Sequence, residues 1–498
     1  MIRSLWAAAG AMAAAGVAAA QGPVAPAALP EWSPAMCVPS VSVPSADGGW
    51  VGPTGSPKVP VPSTPGANPP TGVRDPTEPT ALKPVWKNQL VFENDDKSFS
   101  LFVGGRAQFD VAGYLAPRTI RSAVTGTEPL DDGVHMRRLR FQVGGSIHRN
   151  YEFLVEVDFA NNFVTEAGTD RSLNTPVPTD AWFTFKEVPI VGNVRVGHQK
   201  PPISFEHMTS SRFLNFMERS PGFDAFVENQ ANGFQPGVSA FDTYADRRGT
   251  WAAGLFKNTR NVFGWSVGRN EAEVTGRVTY LPVYEADGRQ LVHVGLGASH
   301  RDAEDDTVRA RSRFSIRNAP GAVAPLMADT GDIDARQQQV VVPEFVAVSG
   351  PFSLQSEYYL SWVQAAQSPA GSGFGRGTAF FQSAYVEAHY FLTGEHRPYN
   401  RDRGVFDRVV PHSPFSWRRG CGASGWGAWQ LAARYSYLDL NSRGIEGGII
   451  HDLTLGLNWF LNPNAKVQLN YFLAHRDVPG VLGDGYIQGF GTRMAWDF

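Results

Sequence analysis

The stretch Phe99-Ser-Leu-Phe-Val-Gly-Gly-Arg-Ala-Gln-Phe-Asp-Val111 decides the fold. Phe99, Leu101, Val103, Ala107, Phe109 and Val111 share one parity, and Ser100, Arg106, Gln108 and Asp110 take the other. That alternation belongs to a strand with one apolar and one polar face. The same texture continues to the carboxy-terminus. Trp429, Leu431, Ala433, Tyr435 and Tyr437 oppose Gln430, Arg434 and Ser436; Leu453, Leu455, Leu457 and Trp459 oppose Asp452, Thr454 and Asn458; Val467, Leu469 and Tyr471 oppose Gln468 and Asn470. Each run is long enough to cross a bilayer as a tilted strand, with aromatic residues near its ends.

Sixteen such segments are expected, at 98–114, 134–148, 151–161, 180–189, 193–204, 233–245, 249–258, 271–284, 290–301, 338–348, 352–365, 380–393, 427–440, 450–461, 465–475 and 486–498. An even number returns both ends of the barrel to one side. Tight connections such as Arg149-Asn150 and Ser349-Gly350 alternate with long ones such as 205–232 and 302–337, as short periplasmic turns alternate with outer loops. The predicted fold is an all-β, transmembrane, antiparallel barrel of sixteen strands over 97–498. A secreted β-sandwich is the alternative, but sixteen long strands with so polar a second face fit a single inward core poorly.

Composition agrees. The 498 residues include 52 glycines, 12% aromatics and 18% charged residues, with a net charge of −3, so nothing in the bulk charge argues for nucleic acid or another charged polymer. Any ionic selectivity has to be local. Met1–Ala20 carries one cation, an alanine-rich apolar run and the small-x-small ending Ala18-Ala19-Ala20, the pattern of a cleaved export signal. No later run is apolar for some 18 residues, so crossing a membrane falls to strands. Residues 21–85 hold close to half of the 36 prolines without periodicity, and are expected to be a disordered, extended arm. The two cysteines, Cys37 and Cys421, allow at most one disulfide, which would tether the arm to the connection 394–426. That connection carries six arginines against three carboxylates and reads either as a basic vestibule or as a solvated turn.

The chain ends Gly491-Thr-Arg-Met-Ala-Trp-Asp-Phe498, which resembles the last strand of Gram-negative outer-membrane proteins, where the terminal aromatic serves the assembly machinery. The segments Tyr390-Phe-Leu-Thr-Gly-Glu-His-Arg-Pro-Tyr399, Gly427-Ala-Trp-Gln-Leu-Ala-Ala-Arg-Tyr-Ser436 and Thr454-Leu-Gly-Leu-Asn-Trp459 resemble the carboxy-terminal signature of the phosphate-selective porin O and P family. Gly104-Gly105-Arg106, Arg137-Arg138, Asp180-Ala181-Trp182, and Thr209-Ser210-Ser211-Arg212 through Glu218-Arg219 resemble its amino-terminal third. The resemblance implies an outer-membrane homotrimer that passes small, phosphate-like anions without a cofactor. It also implies an arginine ladder leading to a constriction where the third outer loop folds into the barrel.

An anion pore needs lumenal cations at a narrow place, and the planar guanidinium fork suits oxyanions. Parity turns Arg106, Arg138 and Arg140 inward, and Arg137 outward unless a bulge intervenes. The positions matching the family's constriction are Ser210, Ser211, Arg212 and Arg219, with Asp180 on the adjoining strand. His207 stands where phosphate-selective members carry lysine, and is expected to gain charge between about pH 7.5 and 5.5. Glu206, Glu218, Asp224 and Glu228 in the same loop, with Glu152, Glu156 and Asp158 turned inward, keep a weakly selective general porin open as an alternative. Gly264-Trp-Ser-Val-Gly268 matches a nucleophile elbow in spacing, but a strand follows where the elbow needs a helix. With no H-E-x-x-H, phosphate loop or dinucleotide fingerprint in the chain, a barrel esterase is a weaker reading. A surface-attachment role for the proline-rich arm is another.

Overall fold

The computed structural model describes residues 81–123, 129–160, 164–166, 169–171, 176–228, 233–259, 271–321, 323–416, 425–478 and 483–498. The expected export signal, the expected arm to residue 80, both cysteines and the Gly264–Gly268 match lie outside them.

Sixteen antiparallel strands form a closed barrel: β1 (Phe99–Leu115), β2 (Gly133–Ile147), β3 (Tyr151–Asp158), β4 (Val177–Val188), β5 (Gly192–Gln199), β6 (Gln235–Tyr244), β7 (Gly249–Lys257), β8 (Ala272–Glu285), β9 (Gln290–Asp302), β10 (Gln337–Ser349), β11 (Phe352–Ala366), β12 (Gly377–Phe391), β13 (Ala428–Ser442), β14 (Ile445–Asn462), β15 (Ala465–Asp477) and β16 (Gly485–Asp497). Each pairs with its neighbour in sequence, and β16 closes on β1 with Arg493 opposite Asp110 and Asp497 opposite Arg106. Closure removes the two free edges that an open sheet would expose in hydrocarbon.

The two faces are inverted relative to a water-soluble protein. Phe109, Val111, Leu139, Phe141, Val155, Leu255, Val274, Leu296, Leu453 and Leu455 are exposed on the outer surface, while Arg106, Asp110, Arg434, Asp452, Asn458 and Arg493 are buried inside. An exposed apolar band of this kind is the surface that a bilayer would cover. Aromatic residues gather toward strand ends, as in the stacked pair Trp429 and Trp459, 5.0 Å between ring centroids.

Three local departures from the sequence reading have physical causes. Residues 83–86 and 90–93, left to the arm and the gap before the barrel, form a hairpin whose second strand pairs with Ser100–Val103 of β1. It takes over the edge of β1 below the point where Phe498 ends its exchange of backbone hydrogen bonds with Gly105. Second, β14 starts at Ile445 rather than 450. Arg443 and Gly444 both adopt positive φ (53° and 79°), the geometry that lets two residues close a hairpin with the right twist. Third, the pairing of β1 with β2 slips between Gln108 opposite Arg138 and Phe109 opposite Met136. Arg137 is the extra residue of this bulge, and it turns inward to complete burial.

Among the described residues, three connections enter the lumen. The outer segment 200–234 begins with a helical turn, Phe205–Met208, capped by the Ser204 hydroxyl, which accepts from the His207 amide. The outer segment 303–336 lies over it, with the Tyr114 hydroxyl donating to the Ile316 carbonyl (2.7 Å). From the opposite end, 392–416 packs upward: Phe406 meets Phe205 edge-on at 5.1 Å, and Tyr399 and His293 share a 2.7 Å hydrogen bond. The described part of that basic connection is therefore a packed insertion rather than a solvated turn. The Arg397 guanidinium stacks on the Phe406 ring at 3.7 Å, and Arg408 pairs with Asp497.

Candidate functional site

The described residues of segment 200–234 pack against the inner wall at β1, β11, β14 and β15. Its start is pinned by Glu357 of β11, whose carboxylate accepts from the amides of Phe205 (2.7 Å) and Glu206 (3.2 Å). Glu206 in turn accepts from the Ser220 amide (3.0 Å) and hydroxyl (2.7 Å), which ties the two arms of the loop together. The far end reaches β14 and β15, where Asn458 donates to the Asn215 carbonyl and the Met217 amide donates to Asn470. Four rings of the loop, Phe205, Phe216, Phe223 and Phe226, are fully buried by this arrangement.

Behind the loop lies a dense charge network. Arg137 donates to both oxygens of Glu218, at 2.7 and 2.9 Å. Arg493 holds Asp110 with two bonds and reaches Glu218 at 3.0 Å. Arg313, from 303–336, pairs with Asp224 at 2.6 Å, and Arg317 reaches Glu228 at 2.9 Å and Asp224 at 3.4 Å. Burial disfavours a charged Glu218, but Arg137, Arg317, Arg138 and Arg493 outweigh it and hold its carboxyl well below the usual range. The loop carboxylates that would offset its arginines are thus consumed as buried counter-ions. The sequence reading set them against the pore cations; the structure pairs Glu218, Asp224 and Glu228 with arginines, although Glu228 still borders the passage.

In front of the loop, the inner faces of β1–β8 leave a cavity of about 260 Å³. Among the described residues it is bordered by nine lysines and arginines (Arg106, Arg138, Arg140, Arg195, Lys200, Arg212, Arg219, Arg277 and Arg403) and by five carboxylates (Glu156, Asp180, Glu228, Asp242 and Asp402), an excess of four cations. Pairing sharpens the contrast. Glu156 binds both Arg106 and Arg140, and Asp158 binds Arg140 at 2.7 Å. Among the described residues, Arg138, Arg195, Lys200, Arg219 and Arg403 have no carboxylate within 4 Å. Arg138 donates to the Gln108 amide oxygen at 2.8 Å, and Arg219 to the carbonyls of Glu206 and Thr209, both at 2.8 Å. Neutral partners position these two side chains without an ion pair.

Nine of the ten residues singled out from the sequence border this cavity; Arg137 sits behind the loop. Ser211 accepts from Arg106 at 2.7 Å, joining the loop to the ladder, while Ser210 accepts from the Arg212 amide at 3.4 Å. Arg212 also approaches Asp497 at 3.3 Å. Asp180 accepts from the Trp182 indole at 3.0 Å. His207 overturns its expectation: it is 1% exposed, and neither ring nitrogen finds a hydrogen-bond partner among the described residues. Burial, with Lys200 and Arg219 close by, pushes its pKa well below the ordinary histidine value, so the ring stays neutral across mild acid. Arg195 and Lys200 were missed, although the alternation of Val194 and Val196 around Arg195 carries the same parity signal that found Arg106.

A family model described as phosphate-selective porin O and P matches residues 103–483. The chain is 29% identical over 455 residues to an uncharacterised protein of Caulobacter vibrioides, covering 89% of this chain and 82% of that one. It is 24% identical over 442 residues to Porin O of Pseudomonas aeruginosa, covering 83% of this chain and 91% of that one. Among solved structures, the Salmonella typhi OmpF complex with daunomycin aligns with a TM-score of 0.47 at 11% identity, over 84% of this chain and 100% of that one. With a sixteen-stranded barrel and a match across most of its length, this chain belongs to the phosphate-selective porin O and P family and is an outer-membrane channel.

Proposed function

We propose that the channel passes small anions by diffusion, through a passage whose field is set by Arg138, Arg195, Arg219 and Arg403. One observation carries this reading: the loop carboxylates Glu218, Asp224 and Glu228 are bound by arginines, while among the described residues these four cations bordering the passage form no ion pair and outnumber the carboxylates left unpaired beside them. In a narrow, low-dielectric channel, unopposed fixed charge concentrates counter-ions and repels co-ions. Guanidinium groups add bidentate recognition of oxyanions, which supports phosphate-like cargo in particular.

The same reading includes export through residues 1–20, recognition of Phe498 during assembly, and a homotrimer. Reversal potential of the purified channel in a potassium chloride gradient tests the selectivity. A potential of the sign set by chloride is expected. A potential near zero returns the general porin, and one of the sign set by potassium contradicts the proposal.

A further inference from the structure

Arg195 differs from the other unopposed cations in what surrounds it. It projects from β5 between two aromatic residues on the neighbouring strands, with its guanidinium carbon 3.8 Å from the centroid of the Trp182 ring on β4 and 4.8 Å from that of Phe241 on β6. Leu154 of β3 stands directly opposite Trp182 in the register, so an apolar row runs across β3, β4 and β6 with the cation at its centre. The row faces the passage, and all four side chains are partly exposed to it.

The site is also held in place. Thr184 accepts from Arg195 Nε at 3.0 Å, and Asp180 fixes the Trp182 indole at 3.0 Å. The two terminal nitrogens of Arg195 have no partner among the described residues. Stacking restrains a guanidinium without using its in-plane donors, so the fork remains available to an oxyanion while the rings offer apolar contact to whatever the oxyanion is attached to. Bare phosphate or chloride uses only the first of these. A carboxylate on a flat apolar body uses both. Asp180 and Asp242 border the same cavity, which favours one negative charge over two.

We propose that Arg195, flanked by Trp182 and Phe241 beside Leu154, is a binding station for monovalent organic oxyanions with a flat apolar body, the class of aromatic carboxylates. This deepens the anion-channel reading by naming a cargo class. It rests on that reading for bulk selectivity, but not for the local site.

The test compares benzoate with acetate, which carry the same charge and the same carboxylate, on the full channel in planar bilayers. Benzoate is expected to block chloride current about tenfold more strongly than acetate, the factor that about 1.4 kcal/mol of added affinity supplies. Trp182→Ala and Phe241→Ala are expected to remove that advantage, while Trp182→Phe keeps most of it and chloride-over-potassium selectivity stays unchanged in all three. Equal block by benzoate and acetate in the wild type, or an advantage that survives both alanine variants, overturns the station. If the benzoate advantage is present and lost in Trp182→Ala, but chloride is not preferred over potassium, the bulk anion-selective reading fails and the station stands.

Discussion

The two halves of the lumen use the same residue types to opposite ends. Behind the loop 200–234, Arg137, Arg313, Arg317 and Arg493 are spent on Glu218, Asp224, Glu228 and Asp110. On the passage side, Arg138 and Arg219 lean on amide and carbonyl oxygens and form no ion pair among the described residues. Arg137 and Arg138 are adjacent in sequence, yet the bulge sends one to each side. A charged residue inside a barrel is therefore read by its partners. Neither its identity nor its parity alone says whether it is structural or faces the permeating ion.

The largest effect should come from breaking the packed side. Glu218→Ala removes the shared carboxylate of Arg137, Arg317 and Arg493. Stranding buried charges in this way costs about 3–5 kcal/mol. The expected outcome is a lower temperature of barrel unfolding on heated gels and noisier single-channel current as the loop loosens. A variant that is as heat-stable and quiet as the wild type would show that the network is not what holds the loop.

Next comes the passage side. Arg138→Ala combined with Arg219→Ala should lower chloride-over-potassium permeability roughly fivefold, the scale of about 1 kcal/mol lost from the passage potential. It should also weaken phosphate block of chloride current, while changing heat stability much less than Glu218→Ala does. Similar losses of stability in the two variants would erase the distinction between the halves.

A smaller effect sharpens how the loop is tied. Burial raises the Glu206 carboxyl from an ordinary 4.5 to about 7. The folded chain then keeps a proton that the unfolded chain has released. Stability from this group is fully present below about 4.5, declines as pH rises, and is lost above about 7. Heat stability should fall across that window and lose this slope in Glu206→Gln. His207 sets the smallest expectation. Because its ring is held neutral, His207→Gln should leave the reversal potential unchanged between about pH 7.5 and 5.5.

The barrel was legible because lipid enforces strict alternation. Runs such as Leu453-Thr-Leu-Gly-Leu fix the facing of each residue, and all sixteen strands lie within a few residues of their expected positions. Ladder residues Arg106, Arg138 and Arg140 follow from the same parity. What was not legible is tertiary. Arg313 and Arg317 sit in an outer connection whose fold back onto Asp224 and Glu228 depends on contacts far apart in the chain. The alternation in Arg309-Ala-Arg-Ser-Arg313 was the available hint. His207 looked like a switch because sequence shows a histidine beside Ser210 and Ser211, but not that Phe223 and Gly233 would enclose its ring. The packing of Phe406 against Phe205 from the opposite end likewise has no local signal.

The central claim is that unopposed cations, and not the arginine count, set the passage. Reversal potentials of three channels in one potassium chloride gradient test it most directly: the wild type, Arg138→Gln with Arg219→Gln, and Arg140→Gln with Asp158→Asn. The last removes a lumenal arginine together with the carboxylate it holds at 2.7 Å. The account predicts a chloride-selective potential in the wild type, a clear loss in the first double variant and a value near wild type in the second. Equal losses in both double variants, or a wild-type potential of the sign set by potassium, would contradict it.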